Sequence, residues 1–136
     1  MNEPNYFRIS VKGIVVDEAG RFLLAREDSG MWDMLGGGLE HSEDPIEGLR
    51  REVYEEAGLV ITWVSPTPKY FLTSIRFGHD TYVANIVYEI ALEHLEFKPS
   101  EECKELRFFT LEEARNQKLF PTVEKLLVSF DRGLHM

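Results

Sequence analysis

From Gly36 to Val60 the chain reads GGGLEHSEDPIEGLRREVYEEAGLV: three consecutive glycines, a run of acids, and an arginine set directly against glutamates. Glycine loses more backbone freedom on ordering than any other residue, and clustered carboxylates repel, so solubility alone does not explain the segment. A helix lies inside it with both ends marked. Asp44 is its expected N-cap, Pro45 its first residue, Glu47 the partner completing a capping box, and Gly58 its stop. At about 100° per residue, Ile46, Leu49, Val53 and Ala57 form one apolar stripe. Glu52, Glu55 and Glu56 form an acidic patch beside the stripe. Gly48 falls in that patch one turn earlier; it costs up to ~1 kcal/mol against alanine and is read as leaving room next to bound ions.

Like charges at this spacing destabilise a helix by about 0.2–0.5 kcal/mol per pair, and the C-terminal half of a helix is where its dipole also opposes negative charge. A cation is therefore expected at the patch. Carboxylate oxygens without a neighbouring Cys or His favour a hard ion, Mg²⁺ or Mn²⁺, over zinc. The acids alone leave a second reading open, that of a solvated helix face.

The net charge of −9, from 24 acidic against 15 basic residues, would repel RNA or DNA. A nucleic-acid polymer is not expected as partner, and a small anionic substrate requires a bound cation to reverse the local field. With 136 residues, 43% of them hydrophobic, the chain is expected to form one domain over residues 1–136. Its apolar runs fall far short of the ~20 residues that span a bilayer, and its start does not read as a signal peptide, so a soluble cytoplasmic protein without a membrane partner is expected. Cys103, with no second cysteine to pair with, reads as a small half-buried residue.

Along the chain, Phe7 to Val16 and Phe22 to Ala25 flank the turn residues Asp17-Glu18-Ala19-Gly20 and read as a β-hairpin. Glu27 to Gly38 reads as a polar, glycine-bearing connection. After Pro66 and Pro68, the runs KYFLTSIRF and TYVANIVYEIAL around Gly78-His79-Asp80 read as a second hairpin, and Arg107-Phe108-Phe109 as a short strand. Thr110 and Glu113 mark a capping box opening a short helix. Pro121 opens a last helix with Val123, Leu126, Leu127 and Phe130 on one side.

Gly37, five residues, Glu43, seven residues, and then Arg51-Glu52-Val53-Tyr54-Glu55-Glu56-Ala57-Gly58-Leu59 match in full the pattern G-x5-E-x7-R-E-U-x-E-E-x-G-U, with U aliphatic. Residues 37–59 thus resemble the signature box of the Nudix, or MutT-like, hydrolases. The departures are Leu35 where many relatives carry proline, Ser42 where they often carry glycine, and Gly48 where alanine is common; none removes a charged group.

The resemblance implies an α+β fold, an α/β/α sandwich around a central mixed sheet. It implies a metal-dependent pyrophosphohydrolase that cleaves the diphosphate linkage of a nucleoside diphosphate joined to another moiety. It makes Glu52, Glu55, Glu56 and the Gly36 carbonyl the metal ligands, with Glu102 added from a distant loop, and Mg²⁺ the cofactor, with Mn²⁺ as an alternative. Arg51 orients the acids through Glu43, and Glu52 or Glu55 is the base, with Glu102 as a further candidate. The glycines, Gly37 and Gly38 among them, let backbone approach ions and diphosphate closely.

For the substrate, Trp32, Tyr70, Phe71, Phe77 and Tyr82 are available to stack on a base, although strand aromatics are more often core. Arg26, Lys69 and Arg76 are available for distal phosphates, against the plain alternative of surface charge. A nucleoside triphosphate is favoured over a nucleotide sugar or ADP-ribose. A domain that binds nucleotides without hydrolysing them is the rival class, and RNA 5′-end processing is disfavoured by the charge. A homodimer is left open.

Overall fold

In a computed structural model of the chain, residues 5–76 and 80–135 are described. The strands are β1 (Phe7–Ile14), β2 (Phe22–Arg26), β3 (Trp32–Asp33), β4 (Leu35–Gly38), β5 (Ile61–Val64), β6 (Tyr70–Ile75), β7 (Tyr82–Leu92) and β8 (Glu105–Phe109). The helices are α1 (Pro45–Ala57), α2 (Leu111–Arg115) and α3 (Pro121–Ser129), followed by a 3₁₀ turn over Arg132–His135.

Two sheets form. In the five-stranded mixed sheet, β1 lies between β4, antiparallel, and β7, parallel, while β5 and β6 both pair antiparallel with β7. The second sheet is antiparallel, in the order β3, β2, β8. The expected first hairpin is therefore corrected. The chain turns after β1 as expected, with Leu23 N bonded to the Val15 carbonyl, but β1 and β2 then diverge into different sheets and only Val16 and Phe22 bridge. The connection read over Glu27 to Gly38 also gains two strands. Four residues as poor in strand propensity as Leu35–Gly38 become a strand because β1 supplies the partner, in the register Ser10 to Gly38 through Gly13 to Leu35.

Alternation along β1 explains the two cores. Val11 points to the side where Leu49, Val53 and Ala57 of α1 pack, with Tyr88 and Ile90 of β7. Ile14 points to the other side, where Tyr70, Leu72 and Val87 meet Val123 and Leu126 of α3. Helices thus cover both faces of the mixed sheet, as the expected sandwich requires. The second hairpin is β6 with β7; Phe77 and the Gly78-His79 part of its turn lie outside the described residues. The Thr110–Glu113 capping box is formed in both directions. Cys103 is fully buried rather than half-buried, and burial first, then the charge of Glu56, pushes its thiol up to about 11.

Candidate active site

Helix α1 brings the acids together with the glycine strand. Asp44 caps it by accepting the Ile46 amide, and Gly58 ends it in the left-handed conformation at φ 66°, donating to the Tyr54 carbonyl. The cap is simpler than expected: among the described contacts Glu47 makes no return bond to Asp44. Ser42, in the place where glycine is common among relatives, adopts φ 67°, a conformation that suits glycine better.

Arg51 is the hub. Its guanidinium forks onto Glu43, Nε to Oε2 at 2.6 Å and Nη2 to Oε1 at 2.9 Å. It also donates to Glu52 at 3.0 Å, to Glu55 at 3.1 Å and to the Gly38 carbonyl at 3.2 Å. One side chain therefore ties the helix, the loop before it and the end of β4 together. Bidentate pairing is the strong form of such contacts, and the Arg51 hydrogen bonds hold the Glu43 carboxyl down to about 2, with Arg51 itself pushed up by Glu43. Gly48 has a use other than the expected room beside ions. A Cβ there would sit 2.6 Å from Leu39 Cδ1 and 2.8 Å from Glu43 Oε1, so its absence makes room for the carboxylate that Arg51 grips.

Gly36 and Gly37 are dictated by close approach. Gly36 has φ 119°, and a Cβ would collide with the Val11 carbonyl across the β1–β4 ladder. At Gly37 a Cβ would lie 2.6 Å from Glu52 Oε2, so the Glu52 carboxylate rests directly on bare backbone.

Glu56 differs from its neighbours on the helix. It is 8% exposed, whereas the Glu55 side chain is 60% exposed. Its carboxylate accepts the Gly36 amide at 3.2 Å. Burial pushes its carboxyl well above the usual range, partly opposed by the positive charge of Lys12. Lys12 is a residue that the sequence reading passed over. Its Nζ donates to Asp33 Oδ2 at 3.0 Å, to the Gly36 carbonyl at 3.0 Å and, longer, to the Met34 carbonyl at 3.5 Å. Burial would discharge this ammonium, but Asp33, Glu56 and Glu52 more than offset that and hold it protonated.

Two cavities meet at Lys12 and Asp33. One, of about 130 Å³, is bordered by Glu27, Glu56, Glu102 and Gly36 as well as by that pair. The other, of about 210 Å³, adds Arg8, Arg76 and Asn85. Asn85 is fixed there. Its Nδ2 donates to the Leu72 carbonyl at 3.0 Å, which can only accept, so Oδ1 must point elsewhere. Glu102 reaches the acidic cavity because the loop before β8 closes over the end of α1, with Ser100 Oγ donating to the Glu56 carbonyl at 2.6 Å and Lys98 N to that of Ala57 at 2.8 Å.

Among the described residues, no three His, Cys, Asp or Glu side chains converge to hold an ion. The expected single patch is instead divided, Glu52 and Glu55 turned to Arg51 and Glu56 to Gly36. The donor set nonetheless fits a hard cation: Glu56 and Glu102 offer carboxylates at the acidic cavity and Gly36 a carbonyl, with Glu52 against the adjoining Gly37, and no thiol borders the cavity among the described residues. Gly37 supplies the space that a Cβ would fill.

The expected substrate contacts fare less well. Trp32 is 3% exposed, packed edge-on against Phe109 and covered by the Arg107 guanidinium, so it is core and no base stacks on it. Arg26 pairs with Glu105 at 3.2 Å and borders neither cavity. Tyr70 is buried with its hydroxyl engaged, while Phe71 and Tyr82 are exposed. Arg76 borders the larger cavity. A signal for Lys12 was present: a lysine between apolar residues of a buried strand is almost never solvated and must have a partner.

The fold and these contacts define a chain of the Nudix type, and comparison agrees: the NUDIX domain model matches residues 6–130. The chain belongs to the Nudix family. It is 47% identical over 57 residues to a MutT-like protein of Streptomyces ambofaciens and 41% identical over 61 residues to an RNA pyrophosphohydrolase of Saccharophagus degradans. Those matches cover 41% and 43% of this chain, and only 37% and 36% of those proteins. A nucleoside triphosphatase NudI of Escherichia coli O139:H28 is 26% identical over 126 residues, covering 83% of this chain and 89% of that protein. The crystal structure of a MutT protein from Methanosarcina mazei Go1 superposes with a TM-score of 0.73 at 27% identity, covering 97% of this chain and 98% of that one.

Proposed function

We propose that the chain, acting as one domain over residues 1–136, is a metal-dependent pyrophosphohydrolase of small nucleotides, a nucleoside triphosphate ahead of a nucleotide sugar or ADP-ribose. The observation that carries this reading is the junction of the two cavities. An acidic pocket suited to a hard cation opens beside a cavity bordered by Arg8, Lys12 and Arg76, which suits an anionic ligand. Similarity over 83% of this chain to a nucleoside triphosphatase supports the substrate class. The net charge of −9 argues against the RNA substrate named for the shorter match. Every box acid is retained, which favours catalysis over a non-hydrolysing sensor.

In this reading Glu56, Glu52 and the Gly36 carbonyl hold the ion, with Glu55 and Glu102 as further ligands. A bound Mg²⁺ or Mn²⁺ would neutralise phosphate oxygens and acidify a water. Arg51 keeps Glu52 and Glu55 at the mouth of the site, and Glu43 keeps Arg51 from swinging away. Glu52 or Glu55 accepts the proton of the attacking water; the Arg51 guanidinium donates to both carboxylates and so positions them. Gly37 and Gly38 leave room for the Glu52 carboxylate and the Arg8 guanidinium to lie against the strand, and Arg8 and Arg76 meet the charge of the diphosphate. The test is a panel of nucleoside triphosphates, nucleotide sugars, ADP-ribose, dinucleoside polyphosphates and 5′-triphosphorylated RNA with Mg²⁺ or Mn²⁺, reading phosphate or pyrophosphate release. Fastest turnover of a nucleoside triphosphate is expected; no turnover of any compound would return the sensor reading.

A further inference from the structure

Among the described residues, Lys12 is the sole basic side chain bordering the acidic cavity, where Glu27, Asp33, Glu56 and Glu102 supply four carboxylates. It is 7% exposed, and each of its three N–H bonds has an oxygen to meet, on Asp33, Gly36 and Met34. Gly36 is held on both sides, its carbonyl by Lys12 at 3.0 Å and its amide by Glu56 at 3.2 Å, and it lies so close to Val11 that a Cβ would collide with the Val11 carbonyl. Lys12 thus supplies a unit of positive charge to the pocket proposed for a divalent ion. It also borders the neighbouring cavity with Arg8 and Arg76. Lysine at a buried strand position is retained at a cost unless its charge is used.

We infer that Lys12 is a built-in counter-ion that sets how tightly the acidic pocket holds a divalent cation. It acts through Asp33 and the Gly36 peptide as a positioning residue, keeping the pocket folded at the expense of metal affinity. This rests on the reading that the pocket binds Mg²⁺ or Mn²⁺. A cation entering the pocket gains from the carboxylates and is opposed by the ammonium. An anion in the neighbouring cavity offsets that opposition, so metal and anion favour each other's binding.

Mn²⁺ titrations and thermal melts of the full chain, wild type and Lys12→Met, test the inference without any turnover measurement. The variant should melt lower without metal, bind Mn²⁺ tighter by on the order of tenfold, and gain more in Tm on adding Mn²⁺ than the wild type does. Unchanged or weaker Mn²⁺ binding by a folded variant would overturn the inference, because a merely structural lysine lowers Tm and leaves the metal-induced gain unaltered. Should Lys12→Met not fold, Lys12→Gln, which keeps hydrogen-bond donors but not the charge, carries the same expectation. If neither folds even with Mn²⁺ present, the inference also fails, since it requires divalent charge to replace the ammonium. Absence of Mn²⁺ binding to the wild type alongside tight binding to the variant would support the counter-ion; absence in both would sink the metal reading itself.

Discussion

Two polar networks of the molecule are built to opposite rules. Beneath the 3₁₀ turn, Glu89, His135 and Tyr70 form a closed chain: His135 Nδ1 meets Glu89 at 2.7 Å, its Nε2 meets the Tyr70 hydroxyl at 2.7 Å, and that hydroxyl accepts the Asp131 amide at 3.1 Å. Phe130 stacks on the imidazole at 5.4 Å. Both imidazole nitrogens and the Tyr70 hydroxyl are engaged within this chain of contacts. The network around α1 is lopsided. Glu43, Glu52 and Glu55 share Arg51, and Glu56, Asp33 and Glu102 face Lys12, so carboxylates outnumber cations. A satisfied network fastens an element of structure; a surplus of like charge on a costly glycine scaffold marks a place where local stability yields to function.

Removing the Glu56 charge from the lopsided network should harm activity and spare stability. Glu56→Gln should lower turnover by roughly 10²-fold or more, since an amide is a poorer ligand and a positioned metal contributes several kcal/mol to the transition state. Its Tm should equal or exceed that of the wild type, because burial already disfavours the Glu56 charge. Glu47→Gln, an exposed change on the same helix, should leave both unchanged, and kinetics with melts on the two proteins separate the cases.

The satisfied network should respond the other way. Tyr70→Phe leaves His135 Nε2 and the Asp131 amide without their partner and should cost about 1–3 kcal/mol of stability by denaturant titration, with turnover on the best substrate unaffected.

Both networks lie partly beyond what one chain read in order reveals. The box, the limits of α1, its apolar stripe and the Thr110 capping box are local patterns, and the structure repeats them. Lys12 and Asp33 are 21 positions apart and meet only because β1 pairs with β4. That pairing involves a strand made largely of glycine, which no propensity would select. Helical angles placed Glu56 beside Glu52 and Glu55 correctly. They did not reveal that β4 covers it, and burial is what separates Glu56 from the others. Trp32 was misread for the same reason: its cover comes from Phe109 and Arg107, far along the chain.

The smallest expected effect is one of pH. Glu43 titrates at about 2 in the folded protein against an ordinary 4.5. A depressed carboxyl stabilises the fold above its unfolded value, and that contribution is lost as pH falls from about 4.5 towards 2. Stability curves of Glu43→Gln should therefore be flatter than the wild type over that acid range, with the two running parallel above it.

The central claim is that the acidic face of α1 works by holding a divalent cation. It is tested most directly by exhaustive chelation of the purified protein, followed by assay on its best substrate and titration with Mg²⁺ or Mn²⁺. The account predicts no turnover after chelation and full recovery on adding either ion. Turnover that persists undiminished without divalent metal would contradict it.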